Sequence, residues 1–306
     1  MLIHDTPVIY QPKKLSRSEF IVIRGLKYHV RHWGREGAPK LFMLHGSRDI
    51  SASWQFTVDA LKGDWHIIAP DWRGCGLSDW AQSEVSYWFH DLIGDLHQLL
   101  EHYSTNEPAT ILAHSKGANI TQHYAGLKPE RVKKFVNIEG FMIGTLNPQY
   151  SVKRLEKWLT HMTSLQKTPG ETQPRYESLQ SFNDRLMRGN PRLPADRAQW
   201  LSQEWCEEQP DGSVLQRIDP AQKRGGIYYF TEGIECWKRI TAPMLAIEGG
   251  ASSHVKRVHE TGEHALRIKA FKTLVALEHF AEASHNVHLD EPERLAEVSE
   301  AFLLQP

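Results

Sequence analysis

The chain has 306 residues, 40% hydrophobic and 24% charged, with 36 Lys plus Arg against 37 Asp plus Glu and a net charge of −1. Such a composition excludes a disordered chain, and the interspersed charge excludes the basic stripe that would draw nucleic acid or an anionic membrane surface. No stretch has the apolar length of a membrane span, no signal-like segment opens the sequence, and Cys75, Cys206 and Cys236 are too far apart for a disulfide framework or zinc spacing. The expectation is a cytoplasmic protein that acts on a small molecule, with no cofactor and no metal. The 17 histidines scatter without a His-x-x-x-His pair on an apolar helix face beside a carboxylate.

Residues 1–18 are polar and irregular, an arm. Two segments rich in β-branched and aromatic residues, 19–25 and 26–33, meet at Gly25 and predict an antiparallel pair. Lys40 to Leu44 is a continuous apolar run ending in His45-Gly46-Ser47, as expected of a buried parallel strand whose following loop lies at a site. A helix from Ala52 to Leu61 and a strand from Trp65 to Asp71 follow. Asp71-Trp-Arg-Gly-Cys-Gly-Leu-Ser78 has a Gly-x-Gly but neither a third glycine nor a Gly-Lys-Ser/Thr ending, so it reads as a tight structural turn rather than a phosphate loop. Leu92, Leu96, Leu99, Leu100 and Tyr103 then share one helix face.

The next strand, Ala109 to Ala113, breaks at His114-Ser115-Lys116 into a helix with Ile120, Tyr124 and Leu127 on one face. Ala113 and Gly117 flank Ser115 two positions away on either side. Small residues there permit a sharp strand-to-helix turn, because larger side chains would collide where the backbones approach. The turn lifts the serine hydroxyl clear of the sheet and aims the first helix amides, Lys116 N–H among them, at whatever the hydroxyl attacks. This is the nucleophile-elbow pattern, usually Gly-x-Ser-x-Gly, in the relaxed form Ala-His-Ser-Lys-Gly.

A strand from Val132 to Ile138 ends in Glu139-Gly140, and there the strand-helix alternation stops. Residues 143–235 offer helical patterns instead: Val152, Leu155, Leu159 and Met162; Tyr176, Leu179, Phe182 and Leu186; Leu201 and Trp205, punctuated by Pro169, Pro191 and Pro194. Alternation resumes with a helix from Thr231 to Ile240, a strand from Pro243 to Ile247, a single helix near Val255 to Ile268 and a strand from Phe271 to Leu277. A loop with Ser284-His285-Asn286-Val287-His288 leads to a last helix, for which Asp290 is the expected N-cap and Glu293 the N3 carboxylate.

These parts, in this order, resemble the α/β-hydrolase superfamily from about residue 19 to residue 304, and within it the serine-hydrolase-like and esterase branch with a helical cap. The resemblance is carried by His45-Gly46, by Asp71-x-Arg73-Gly74-x-Gly76-x-Ser78, by the elbow around Ser115, and by Ser284-His285 with His288 and Pro292. It implies an α/β fold: a mostly parallel sheet of about eight strands flanked by helices. Residues 1–142 and 236–306 would form the core domain, and 143–235 a cap inserted between strands six and seven. Ser115 matches the nucleophile and His285 the catalytic histidine, while the Ser47 and Lys116 amides match the oxyanion hole. His45, His114 and His288 are expected to be packing or loop residues.

One departure concerns the acid. The superfamily's usual carboxylate follows a glycine at the tip of strand seven, where Gly249-Gly-Ala-Ser252 supplies a serine. Glu139 at the end of strand six is the preferred alternative, as in a subgroup of the similar haloalkane dehalogenases; Glu248 is its rival, and the absence of any carboxylate partner remains the third possibility. Dehalogenases and epoxide hydrolases attack with Asp, which Ser115 disfavours here. The implied activity is hydrolysis of a small or medium carboxylic ester, with thioester, lactone, carbon-carbon or perhydrolase chemistry within the same machinery. A non-catalytic ligand-binding or interaction protein on the same fold is the alternative class.

Overall fold

Eight strands form the main sheet of the computed structural model, which describes residues 9–81, 87–141, 152–153, 155–160, 163, 173–224 and 230–305. β1 (Arg17–Ile23) and β2 (Leu26–Trp33) are antiparallel, joined by Arg24 and Gly25 with φ of 49° and 81°. Two positive φ angles in a two-residue hairpin are the type I′ pattern, which follows the strand twist, and Gly25 accepts its share without a Cβ penalty. β3 (Lys40–Leu44), β4 (His66–Pro70), β5 (Ala109–His114) and β6 (Val132–Ile138) come next in the chain. With β10 (Met244–Gly249) and β11 (Leu274–Phe280) they complete the order β1-β2-β4-β3-β5-β6-β10-β11, parallel from β4 onward.

The inner strands read as unbroken apolar runs because both sheet faces are covered. In β3, Phe42 and Leu44 enter one core and Leu41 and Met43 the other; in β5, Ile111 and Ala113 oppose Leu112 in the same way. One core is closed by α2 (Phe89–Tyr103) and α3 (Lys116–Leu127), the other by α1 (Gln55–Ala60) and the last helix, Pro292–Leu303. The face of α2 is as expected, whereas in α3 Ile120 and Tyr124 pack inward and Leu127 is exposed.

Several boundaries differ from expectation. A short 3-10 turn, Ser51–Trp54, precedes α1. The segment between β6 and β10 holds α4 (Leu179–Gly189) and α5 (Ala195–Trp205), together with an antiparallel three-stranded sheet of β7 (Arg175–Tyr176), β8 (Cys206–Glu208) and β9 (Val214–Gln216). Tyr176 therefore lies in a strand, and α4 starts after a Ser178–Ser181 capping box. Val152 and Leu159 of the first helical pattern are exposed, and Met162 and Pro169 lie outside the described residues. Phe182, Leu186, Leu201 and Trp205 join the same core as α2 and α3, so this segment packs onto the sheet domain through apolar contact.

After α6 (Phe230–Trp237), the single helix expected near Val255 to Ile268 is two, α7 (Ser253–Glu260) and α8 (His264–Ala270). Gly262, with φ of 70°, turns the chain between them. Beyond the short α9 (Val287–Asp290), the helix Pro292–Leu303 is α10. Its expected side-chain cap is absent: Pro292 occupies the first turn, and Asp290 Oδ2 accepts the Ser284 N–H at 2.7 Å, bracing the loop that carries His285. The turn at Asp71 is structural, as read. Its carboxylate accepts from Ser51 N–H (2.6 Å) and Leu77 N–H (3.0 Å) and pairs with His29 (2.7 Å), while Arg73 forks onto Asp95.

Candidate active site

Three chain turns converge at the C-terminal edge of the parallel strands. At the end of β5, Ser115 has φ 51° and ψ −113°, a conformation that costs a non-glycine residue about 1–3 kcal/mol and is held by its surroundings. Its N–H donates to Ile138 O at 2.8 Å, and its carbonyl accepts the Asn119 N–H at 2.9 Å in the first turn of α3. The small neighbours are required on contact grounds. A Cβ at Gly117 would stand 2.5 Å from Leu44 O, and one at Gly46 would stand 2.8 Å from His114 Nδ1 and 3.2 Å from the Ser115 Cβ. The loop carrying Ser47 is thus pressed against the elbow.

His285 lies between the other two groups. Its Nε2 is 2.9 Å from Ser115 Oγ, and its Nδ1 is 2.9 Å from Glu139 Oε2. Glu139 follows β6 with φ of 57° and is fully buried, its N–H donating to Ile247 O at 2.9 Å. A buried carboxylate is tolerable only when its lone pairs are met. Here Oε1 accepts the Gly249 N–H at 2.5 Å, and Oε2 accepts the Ser252 hydroxyl at 2.8 Å beside the imidazole. Gly140 keeps the turn compact, since a Cβ there would strike Asn137 and Ala118.

The rival carboxylate, Glu248, faces elsewhere: its Oε2 is 3.0 Å from His264 Nε2 and its Oε1 is 3.4 Å from His279 Nδ1. Burial alone would raise its pKa, but the contacts with His264, His259 and His279 outweigh it and hold the carboxyl below its usual range.

The other named histidines are close to the site without touching Ser115 Oγ. His45 is buried, its Nε2 accepting the Trp72 N–H at 3.0 Å and its carbonyl accepting the Trp72 indole at 3.0 Å. His114 Nε2 donates to the His285 carbonyl at 2.8 Å, a hold on the backbone of the His285 loop where only a packing role was expected. Burial, and then the neighbouring His288 and His285, push the His114 pKa well down. His288 Nε2 stands 3.3 Å from Asp49 Oδ2. Two contributors were missed from sequence. Ser252 donates to Glu139, a link whose only sequence signal was the serine in the place of the usual acid. His254 lies with its ring 4.8 Å from that of His285, and burial lowers its pKa to about 3.

The inserted segment reaches the same place. Lys116 Nζ donates to Gln222 Oε1 at 3.3 Å, and Asn286 Nδ2 donates to Asn190 Oδ1 at 2.6 Å. Burial lowers the Lys116 pKa against the opposing pull of Cys75 and Asp49. All three cysteines are free thiols, and among the described residues no helix is long and apolar enough to cross a membrane.

Comparison with known proteins agrees with this architecture. Residues 39–209 match the family model described as alpha/beta hydrolase fold. The serine hydrolase-like protein of Danio rerio is 24% identical over 275 residues, covering 89% of this chain and 83% of its own length. The AB hydrolase superfamily protein YfhM of Bacillus subtilis is 30% identical over 138 residues, 44% of this chain and 48% of that protein. The chain thus spans about half the length of the second relative. Among solved structures, the thioesterase domain from the curacin biosynthetic pathway superposes with a TM-score of 0.78 at 18% identity, covering 93% of this chain and 99% of that one, a likeness of fold. With the family model spanning more than half of the sequence, the chain belongs to the alpha/beta hydrolase fold family.

Proposed function

We propose that the protein is a serine hydrolase that cleaves small or medium carboxylic esters through an acyl-enzyme on Ser115. The observation that carries the reading is the unbroken line from Ser115 Oγ through His285 Nε2 and Nδ1 to Glu139 Oε2, with both gaps at 2.9 Å. In a neutral imidazole one nitrogen donates and the other accepts. The buried Glu139 carboxylate can only accept while ionised, so it selects the tautomer with the proton on Nδ1 and leaves the Nε2 lone pair facing the serine hydroxyl.

In the first half-reaction Ser115 Oγ bonds to the ester carbonyl carbon as its proton passes to His285 Nε2. The carbonyl oxygen becomes an oxyanion, held by the Ser47 and Lys116 backbone N–H groups. Collapse breaks the carbon-oxygen bond to the alcohol, which leaves with the proton from Nε2. Water then repeats the sequence, losing a proton to Nε2 and releasing the acid and free Ser115. The Glu139 carboxylate faces Nδ1 and stabilises the imidazolium formed in each half.

Residues 143–235 act in this reading as a cap that selects the substrate, because Gln222 and Asn190 in this segment touch the elbow and the His285 loop. The three free thiols suit a reducing, cytoplasmic compartment. The test combines a fluorophosphonate label with aryl esters of graded acyl length. The native chain should label and turn over short esters, and Ser115→Ala should lose the label and at least about three orders of magnitude in kcat. Undiminished turnover in that variant would remove Ser115 from the chemistry. No labelling of the folded native chain would favour a ligand-binding protein instead.

A further inference from the structure

Glu248 was a candidate acid that the proposed reaction leaves unused, yet it sits beside the imidazoles of His259, His264 and His279. Its Oε2 is 3.0 Å from His264 Nε2, and its Oε1 is 3.4 Å from His279 Nδ1. The His259 and His264 rings stack with centroids 3.8 Å apart. One ligand atom each from Glu248, His259 and His264 can be chosen so that all lie within 4.8 Å of one another.

We propose that Glu248, His259 and His264 form a binding site for one divalent transition-metal ion of the Zn2+ type, with His279 at its rim, beside the edge strand β11 and outside the triad. Bonds of about 2.0–2.1 Å in a tetrahedral zinc site place neighbouring ligand atoms about 3.3 Å apart. The Glu248 Oε2–His264 Nε2 pair, at 3.0 Å, is close to that spacing, and His279 Nδ1 stands 3.4 Å from the other carboxylate oxygen, Oε1. Two imidazoles and one carboxylate, with a fourth position left for water, form a donor set suited to zinc, copper or nickel rather than to magnesium or calcium, which take oxygen ligands. The site is open to solvent in a graded way. The Glu248 side chain at the floor is 9% exposed, His264 is 16% exposed, and His279 at the rim is 56% exposed. An ion can therefore enter from the rim and meet the carboxylate last.

The geometry depends on the break between α7 and α8. In one continuous helix His259 and His264, five residues apart, would point about 140° away from each other. The turn at Gly262 instead brings the two rings face to face. An ion there would tie three chain segments together, namely β10, the end of α7 and the start of α8. Gly249, next to Glu248, donates its N–H to Glu139, so the tie adjoins the triad without including any of its members.

The test is titration of the metal-free full chain with ZnCl2 by calorimetry, with Co2+ substituted to read coordination from its visible absorption, and thermal melts with and without a chelator. The expected result is one ion per chain, four-coordinate Co2+ bands, and a Tm that rises with Zn2+ and falls back on chelation. Glu248→Gln and His264→Gln should each weaken binding by at least about tenfold. The exposed His259→Gln gives a further check should either of those variants fail to fold. His288→Gln serves as the control, because Asp49, His114 and His288 form a second group with ligand atoms within 4.8 Å. The proposal is overturned if no ion binds, if binding survives loss of Glu248, His259 and His264, or if it is lost with His288 instead.

Discussion

The tips of two neighbouring strands, β6 and β10, point at the same imidazole with different chemistry. β6 ends in Glu139, whose carboxylate lies 2.9 Å from His285 Nδ1. β10 leads to Ser252, whose hydroxyl donates to that same carboxylate oxygen at 2.8 Å. The second tip, where a hydrolase of this fold would be expected to hold its acid, thus supplies a neutral donor to an acid mounted one strand away. A triad is a set of positions in space, and two parallel strands in register bring their ends near enough for either to fill one of them.

The largest effect expected from breaking this arrangement is in Glu139→Gln. It should lower kcat on a short aryl ester by about three to four orders of magnitude with little change in KM, since glutamine keeps the shape but favours the wrong tautomer and leaves the imidazolium unpaired. Glu248→Gln, measured in parallel, should cost less than about tenfold; equal losses would mean that the two carboxylates act together. Moving the acid comes next. Adding Ser252→Asp to Glu139→Gln should recover at least about tenfold of the lost kcat, by analogy with how strongly a correctly placed partner orients histidine. No recovery in a folded double variant would show that the β10 tip cannot present a carboxylate to His285.

Ser252→Ala sharpens the comparison by leaving the acid in place and removing only its donor. Hydrogen bonds to charged groups contribute about 1.5–3 kcal/mol, so denaturant melts should show a loss of that order while kcat falls by less than about tenfold. A stability change near zero would mean that Glu139 finds another donor. The smallest effect concerns pH. His254, in the first turn of α7 just beyond Ser252, has its pKa lowered to about 3 by burial. Its unfolded-state value is about 6.5, so between pH 6.5 and 3 the unfolded chain binds a proton that the folded chain refuses. Stability contributed by this group is therefore complete above about pH 6.5 and declines as pH falls, by at most about 1.4 kcal/mol per pH unit. Melts of His254→Asn across this range should have a shallower slope than those of the native chain; equal slopes would assign the acid sensitivity to the buried His114 and His45 instead.

Much of the scaffold was legible because its signals are local. The runs Lys40 to Leu44 and Val132 to Ile138 had nowhere to go but the middle of a sheet, and Ala113 and Gly117 around Ser115 announced a turn too tight for larger neighbours. The errors fall where a local pattern competed with a distant partner. Tyr176 fits a helical period with Leu179 and Phe182, but β9 pairs with it from almost forty residues further along the chain. Asp290 has the spacing of an N-cap, yet the Ser284 N–H claims it. The helix expected through Gly262 breaks because a glycine with free access to positive φ stands where the chain must turn.

The sequence by itself determined the chain order of the main-sheet strands, the elbow serine, the loop histidine and a short choice of carboxylates, since apolar periodicity and steric demands at turns act over a few residues. Only the tertiary structure decided that Glu139 meets Nδ1 of His285, that Ser252 supports it, and that Glu248 turns to a separate group of histidines. Those outcomes depend on which strands lie side by side and on which way each side chain leaves its backbone. Residues 113 and 146 positions apart become neighbours only once the sheet has assembled.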